Sequence, residues 1–160
     1  MIENKLLTAL KLLTKKLEGK NIKWIVVGSL SLALQGVKIK PKDIDILTNR
    51  KGAYRINSIL KEYEVKPVKF EKSKIFSSYL GKFRIKKVKV EVMGNLKARV
   101  NGKWVSLMSR LKHPQYVKIK NAKIPVSRLE EQLKVYAKIK RNKNPVRVRK
   151  IEEFLKLKYS

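Results

Sequence analysis

The chain has 160 residues, 43% hydrophobic and 33% charged, which suits one folded domain with an apolar core. It has no cysteine, which excludes disulfides and cysteine-based metal sites, and no apolar run near the ~18 residues that span a membrane. Lysine and arginine number 41 against 12 acids, and this net charge of +29 favours polyanionic partners such as RNA or DNA.

The excess of lysine has a second explanation. Lysine-rich surfaces without cysteine are also typical of cytosolic proteins from hyperthermophiles, although those proteins carry matching glutamate, which is scarce here. We therefore expect a cytoplasmic protein of a thermophile that also contacts an anionic partner. The N-terminal stretch, residues 1–19, has an amphipathic pattern that predicts a packed first helix rather than a signal peptide or a membrane-surface helix.

Hydrophobic periodicity predicts an alternation of helices and strands, then a run of strands, then helices. A capping-box pattern at Ser127 and Glu130 predicts the start of a helix, and Asn144-Pro145 interrupts the helical pattern. In chain order we predict a helix at 6–17, strands at 22–27 and 43–47 with a short helix at 29–35 between them, a helix at 51–63, strands at 65–70, 75–80, 83–85, 88–93 and 117–126, and helices up to about 157. This order predicts an α+β fold with a core at 1–126 and C-terminal helices at 127–160 packed on it.

Acidic residues are rare enough for their positions to be informative. The chain has only two aspartates, Asp43 and Asp45, and they lie two residues apart on a predicted strand, so both side chains leave the same face. Glu91 lies in the same way within a run of alternating valines, in a strand interior where acids are unfavourable. Adjacent carboxylates repel each other unless a cation lies between them, and hard oxygen ligands suit Mg²⁺.

A simpler explanation is open for each acid alone, because neighbouring lysines could neutralise it. The combination is stronger evidence. The three acids follow an apolar strand that breaks at Gly28-Ser29 and continues as a helix, a turn suited to holding a phosphate. Three oxygen ligands beside a phosphate cradle are what two-metal phosphoryl or nucleotidyl transfer requires.

These residues resemble the signature of the polymerase-beta-type nucleotidyltransferases. The signature is an apolar residue with Gly and Gly or Ser, then Asp-x-Asp, then a third acid on a neighbouring strand. It corresponds here to Gly28-Ser29, to Asp43 and Asp45 after a gap of thirteen residues, and to Glu91. The chain is similar to the small, stand-alone "minimal" members of this family in bacteria and archaea. The resemblance implies the nucleotidyltransferase fold, with a mixed sheet flanked by helices.

The resemblance also implies roles for these residues. Gly28 and Ser29 would bind the triphosphate of an NTP, and Asp43, Asp45 and Glu91 would hold two Mg²⁺ ions. Glu91 would also help to deprotonate the acceptor hydroxyl. Attack on the α-phosphate would release pyrophosphate. The segment 141–144 resembles a family region that contains an acid, but here that acid is missing.

A basic run at 138–150 is a further candidate site, for a polyanion. A solvated helix surface is the alternative explanation of the same pattern. The candidate contacts in this run are Lys138, Lys140, Arg141, Lys143, Arg147 and Arg149. The single histidine, His113, precedes a proline in a predicted loop and is not expected to act as a general base.

The sequence therefore predicts a Mg²⁺-dependent enzyme that transfers an NMP from an NTP to a hydroxyl. The charge favours RNA as the acceptor, while a protein side chain or an aminoglycoside-like small molecule stays open. Two other hypotheses also stay open: a non-catalytic nucleic-acid-binding protein that retains the fold, and a toxin–antitoxin component.

Overall fold

A computed structural model of the chain describes residues 2–159 and contains a mixed β-sheet with helices packed against it. The helices are α1 (Asn4–Leu17), α2 (Gly28–Leu34), α3 (Arg50–Ile59), α4 (Leu129–Lys138) and α5 (Asn144–Tyr159), with short 3-10 helices at Lys61–Tyr63 and Met108–Leu111. The strands are β1 (Trp24–Val27), β2 (Ile44–Thr48), β3 (Glu64–Lys72), β4 (Phe76–Ile85), β5 (Val88–Val100), β6 (Lys103–Ser106), β7 (Gln115–Ile119) and β8 (Ala122–Val126). In the part of the chain described, no helix combines the length and the apolar character needed to cross a membrane.

The sheet has the strand order β3-β4-β5-β2-β1-β8-β7, and β6 pairs with β5 outside this path. The β2–β5 and β1–β8 pairs are parallel, and the other pairs are antiparallel. After β2 the chain therefore passes through α3, builds β3 and β4 at one edge of the sheet, and returns as β5 beside β2. This path places residues that are far apart in sequence on adjacent central strands.

The core is divided between the two faces of the sheet because side chains alternate along each strand. Val26 and Ile46 belong to the cluster that α1 and α3 cover, and leucines of α1 pack against them. Val27 and Leu47 belong to the cluster on the opposite face. Burial of each such side chain contributes about 1.5–3 kcal/mol. A third cluster joins α2 to α4 and α5 and packs the C-terminal helices beside the end of β1.

Several predicted boundaries are wrong, each for a local reason. The strand predicted at 117–126 is a hairpin, because Lys120 has a φ of 53° and starts a turn that separates β7 from β8. The two strands predicted at 75–85 are one strand, β4, which continues through Gly81. The helix predicted at 51–63 ends at Ile59 and is followed by a 3-10 turn.

The predicted capping box is also wrong. The residue that caps α4 is Arg128, and the Ser127 hydroxyl is buried without a hydrogen-bond partner. The start of the helix lies one residue beyond the position that would let this hydroxyl reach the first turn. Asn144-Pro145 does separate two helices, and it forms the first turn of α5, where a proline needs no N–H partner.

Candidate active site

The candidate site begins at the turn between β1 and α2. Val27 ends β1 opposite Asp45 on the antiparallel strand β2, and Gly28 follows directly. Gly28 has a φ of +73°, and a Cβ at this position would lie 2.7 Å from Asp45 Oδ2. Both the backbone conformation and the close approach of this carboxylate therefore require glycine.

The parallel pairing of β2 with β5 brings two acids together. Asp45 and Glu91 are direct partners in the register of these strands, and the strands of a sheet lie about 4.8 Å apart. Asp43 lies one residue before β2, so the sequence prediction that placed it inside the strand is wrong, but its side chain lines the same cavity as the other two acids. All three acids are half-buried.

The three acids, Gly28 and Ser29 line one open cavity of about 850 Å³. Its floor is the face of the sheet that carries Asp45, and residues of α4 and α5 form the opposite wall. The volume falls within the range of sites that hold a small ligand or cofactor. The five residues predicted as the catalytic and nucleotide-binding set are thus placed around a common space.

The surroundings of Asp45 in this cavity disfavour its charged form. Burial first, and then the neighbouring charges of Glu91 and Asp43, raise the pKa of Asp45 from 3.8 to about 7, against the opposing effects of Arg147 and Lys89. Lys89 also forms an ion pair with Glu91, with an Nζ–Oε1 distance of 3.7 Å. A cation between the carboxylates would relieve this repulsion.

The C-terminal basic run is divided by the structure. Arg141, Lys143 and Arg147 line the cavity, whereas Lys138, Lys140 and Arg149 are exposed and do not. Arg147 is half-buried, its guanidinium lies 5.3 Å from the ring centre of Tyr136, and its charge lowers the pKa of Asp45. The sequence pattern identified the run but did not distinguish its two sides.

A buried polar network holds the wall opposite the sheet, and the sequence reasoning missed it. Arg110 Nη1 donates to Gln132 Oε1 at 2.6 Å, and Gln132 Nε2 donates to Tyr136 Oη at 3.1 Å. Burial lowers the pKa of Arg110 to about 10 and raises the pKa of Tyr136. The sequence signal was Gln132, a polar residue on the apolar face of α4 between Leu129 and Tyr136.

The two tryptophans and the histidine do not line the cavity. Trp24 is buried in the core, and Trp104 is half-buried on β6 beneath Lys72, with 5.1 Å between the Lys72 Nζ and the ring centre. His113 is not among the residues that line the cavity, and its backbone carbonyl accepts a hydrogen bond from Arg128.

Comparisons with known proteins identify the family and the fold of the chain. The model of the family described as aminoglycoside-2''-adenylyltransferase matches residues 9–150. A crystal structure from Thermotoga maritima, described provisionally as a nucleotidyltransferase, is 35% identical with a TM-score of 0.81, and the match covers 98% of this chain and 94% of that one. No protein with a curated description matches the chain.

More distant structures share the fold alone. The antibiotic-resistance factor ANT(2'')-Ia, in complex with adenylyl-2''-tobramycin, is 11% identical with a TM-score of 0.58, over 92% of this chain and 88% of that one. An antigenic nucleotidyltransferase-like protein from Paracoccidioides brasiliensis is 15% identical with a TM-score of 0.56, over 97% of this chain and 77% of that one. The predicted α+β nucleotidyltransferase fold, with a mixed sheet and C-terminal helices, is confirmed.

Proposed function

Because the chain belongs to the aminoglycoside-2''-adenylyltransferase family, we propose that it transfers an NMP from an NTP to a hydroxyl group of an acceptor. The observation that carries this proposal is the pairing of Asp45 with Glu91 beside Gly28, where only glycine can approach the carboxylate. An acid pair of this kind at a turn suited to phosphates has a use in nucleotidyl transfer and none in packing.

The donor set fits Mg²⁺ as the cofactor. Asp43, Asp45 and Glu91 line one cavity with their carboxylates, and burial, with the charges of Glu91 and Asp43, raises the pKa of Asp45, a cost that a divalent cation would relieve. Among residues 2–159, no three acidic or histidine side chains already lie close enough together to hold a metal ion. When bound by these carboxylates, two Mg²⁺ ions would neutralise charge that develops on the phosphate oxygens.

The triphosphate would occupy the end of the cavity between the β1–α2 turn and α5. Gly28 and Ser29 lie on one side of this space, and Arg147 lines it from the opposite wall. The Ser29 hydroxyl can donate to a phosphate oxygen, and the guanidinium of Arg147 can pair with two of them. These groups would hold the α-phosphate in line with the incoming hydroxyl.

Glu91 lies on the side of Asp45 that faces β4, next to Lys82 in the sheet register. We assign to its carboxylate the role of accepting the proton of the acceptor hydroxyl. The oxygen of that hydroxyl bonds to the α-phosphorus, the bond from the α-phosphorus to the bridging oxygen breaks, and pyrophosphate leaves with the electron pair. The acceptor would then enter from the β3–β4 side.

Thermal shift and labelling test this function. With Mg²⁺ and the correct NTP, the melting temperature of the wild type should rise, while that of Asp43→Asn/Asp45→Asn should not. Incubation with each α-labelled NTP and total cellular RNA or protein should label a product and release pyrophosphate.

A matched control replaces two acids that lie outside the cavity, Glu152→Gln/Glu153→Gln on α5. This variant should respond to Mg²⁺ and NTP as the wild type does. Labelling that survives the double asparagine variant would contradict the site. A wild type without any NTP response would support the non-catalytic alternative.

A further inference from the structure

We infer that the acceptor is a single-stranded nucleic acid, which presents its 3′-terminal hydroxyl to Glu91 and lies along a basic strip on β3 and β4. The strip consists of Lys66 and Lys72 on β3 and Lys82 on β4, all of which line the cavity. This inference rests on the proposed nucleotidyl transfer and names the substrate class of the same site.

The positive charge of the cavity disfavours an aminoglycoside acceptor such as the tobramycin of the ANT(2'')-Ia complex. Within residues 2–159, ten lysine and arginine side chains line the cavity against four acids, and three of those acids are the proposed metal ligands. Aminoglycosides are polyamines that carry several positive charges at neutral pH, so these side chains would repel them. Like-charge contacts of this kind are a strong means of rejecting a wrong partner.

The strip runs outward from the acids. In the sheet register Glu91 lies opposite Lys82, and Lys82 lies opposite Lys66 at the outer strand. From Lys66 to Lys72 the strand β3 extends over about 20 Å, which exceeds the length of a mononucleotide and allows contacts with several phosphates. Glu71 forms an ion pair with Lys66 at 2.9 Å, a pairing for which a phosphate can compete.

Aromatic rings lie among the cations at the outer end. Lys72 lies over Trp104, and Arg141 lies over Phe76 with 5.3 Å between the guanidinium carbon and the ring centre. Alternating cations and aromatic faces are typical of surfaces that bind single strands, where cations hold phosphates and rings stack on bases.

The direction of the strip favours binding of the end of a nucleic-acid chain over binding of its middle. At the acids the cavity meets the β1–α2 turn and the helices, which is the space assigned to the NTP. A chain that enters along β3 therefore ends at Glu91, and its terminal hydroxyl reaches the α-phosphate.

Labelling of defined acceptors is the first test. A 12-nucleotide RNA, the same sequence as DNA, the RNA with a 3′-phosphate, and tobramycin are each incubated with Mg²⁺ and α-labelled NTP. We expect label on the RNA or the DNA, whose comparison identifies the natural acceptor, and none on the blocked RNA or on tobramycin. Equal or faster labelling of tobramycin, or of protein in place of nucleic acid, would overturn the inference.

Binding of the fluorescent oligonucleotide, followed by anisotropy, tests the strip without chemistry. Lys66→Gln/Lys82→Gln removes two lysines that are cross-strand partners in an antiparallel pair. Lys118→Gln/Lys123→Gln removes the same charge from an equivalent cross-strand pair on β7 and β8, outside the cavity. We expect the first variant to raise the Kd about tenfold and the second to change it less than about twofold.

Salt dependence separates phosphate contacts from general charge. Loss of two phosphate contacts should lower the slope of log K against log salt by roughly 1.4 for a single strand. Equal effects of the two variants on the Kd and on this slope would overturn the inference. Failure of the proposed function looks different: no NTP raises the melting temperature and no acceptor releases pyrophosphate, whatever the oligonucleotide binding.

Discussion

Two grooves of this protein differ in which charged side chains line them. A groove of about 1070 Å³ between α1 and the β7–β8 edge has seven lysines and one acid, Glu18, in its described lining. The smaller cavity of about 850 Å³ contains Asp45 beside Glu91, with the pKa of Asp45 raised to about 7. The larger groove is a basic surface, while in the smaller cavity burial and two neighbouring acids destabilise the charged form of Asp45.

This difference teaches that size and positive charge do not identify the site in a chain with a net charge of +29. Lysines can be solvated wherever they occur. The charged form of Asp45 costs free energy in the folded protein, so its position beside Glu91 indicates that the ligand-bound state has a use for it.

The sharpest test of the comparison is the loss of one carboxylate from each groove. Asp45→Asn should lower kcat by more than about a thousandfold, since it removes a proposed metal ligand without altering side-chain size. Glu18→Gln should leave kcat within about twofold of the wild type. Pyrophosphate release with saturating NTP measures both, and comparable losses in the two variants would erase the distinction.

The same asparagine variant should be more stable than the wild type when metal is removed. The pKa of Asp45 is raised from 3.8 to about 7 on folding, so the destabilisation is absent below pH 3.8, grows as the pH rises and is complete above about pH 7. In EDTA at pH 8 the gain in the free energy of unfolding should approach about 4 kcal/mol. It should not exceed this value, because water enters the cavity.

Denaturant unfolding at pH 4 and pH 8 measures this gain. The gain should be small at pH 4, and Mg²⁺ at pH 8 should reduce it by stabilising the wild type. An equal gain at both pH values would show that the carboxylate is not buried as a charge.

A comparison of Gly28→Ala with Gly19→Ala tests whether the close approach of the backbone to Asp45 matters. A Cβ at Gly28 would displace Asp45 Oδ2, whereas Gly19 has a similar φ of +71° with no atom within 4 Å of its Cβ. Both alanine variants should lose about 1 kcal/mol through backbone strain. Only Gly28→Ala should also lower kcat/KM, by about a hundredfold, because the carboxylate must move.

Equal activity in the two glycine variants, after correction for the folded fraction, would contradict this role of Gly28. The measurement is kcat/KM for the NTP together with the melting temperature of each variant.

The smallest effect should distinguish two arginines on one helix. Arg147 lines the cavity and Arg149 does not, although both lie on α5. Arg147→Gln should raise the KM for the NTP about tenfold by removing a charged phosphate contact, with a smaller effect on kcat. Arg149→Gln, which loses only a 4.0 Å ion pair with Glu153, should leave the KM unchanged, and a matching increase would contradict the assignment.

Much of the site could be predicted because it depends on short-range patterns. The strand–Gly–helix turn at Gly28 and the spacing of Asp43 and Asp45 are local features, and the alternation around Glu91 predicted its strand. The register that pairs Asp45 with Glu91 was not predictable from periodicity alone, since it depends on the return of β5 to the centre of the sheet. The family resemblance supplied that contact.

The opposite wall was beyond prediction for a different reason. Arg110 and Gln132 meet only through tertiary packing of a 3-10 helix against α4, and each looks like an ordinary polar residue in sequence. The capping pattern at Ser127 failed because the Ser127 backbone N–H bonds to Val26 of β1 and the helix starts only at Leu129. Local propensity is a weak guide where tertiary contacts determine the boundary.

The segment between β2 and β5 separates the strands that carry the acids from the strands at the edge of the sheet. The acids lie on the two central strands at its ends, while the β3–β4 hairpin that it builds forms the edge of the sheet. Among the described strands, β3 pairs with β4 alone, so we expect insertions or changes of charge on β3 to leave the register of the central strands intact. Under the proposed function, a change on this exposed hairpin would alter the acceptor while the carboxylates on the central strands stay in place.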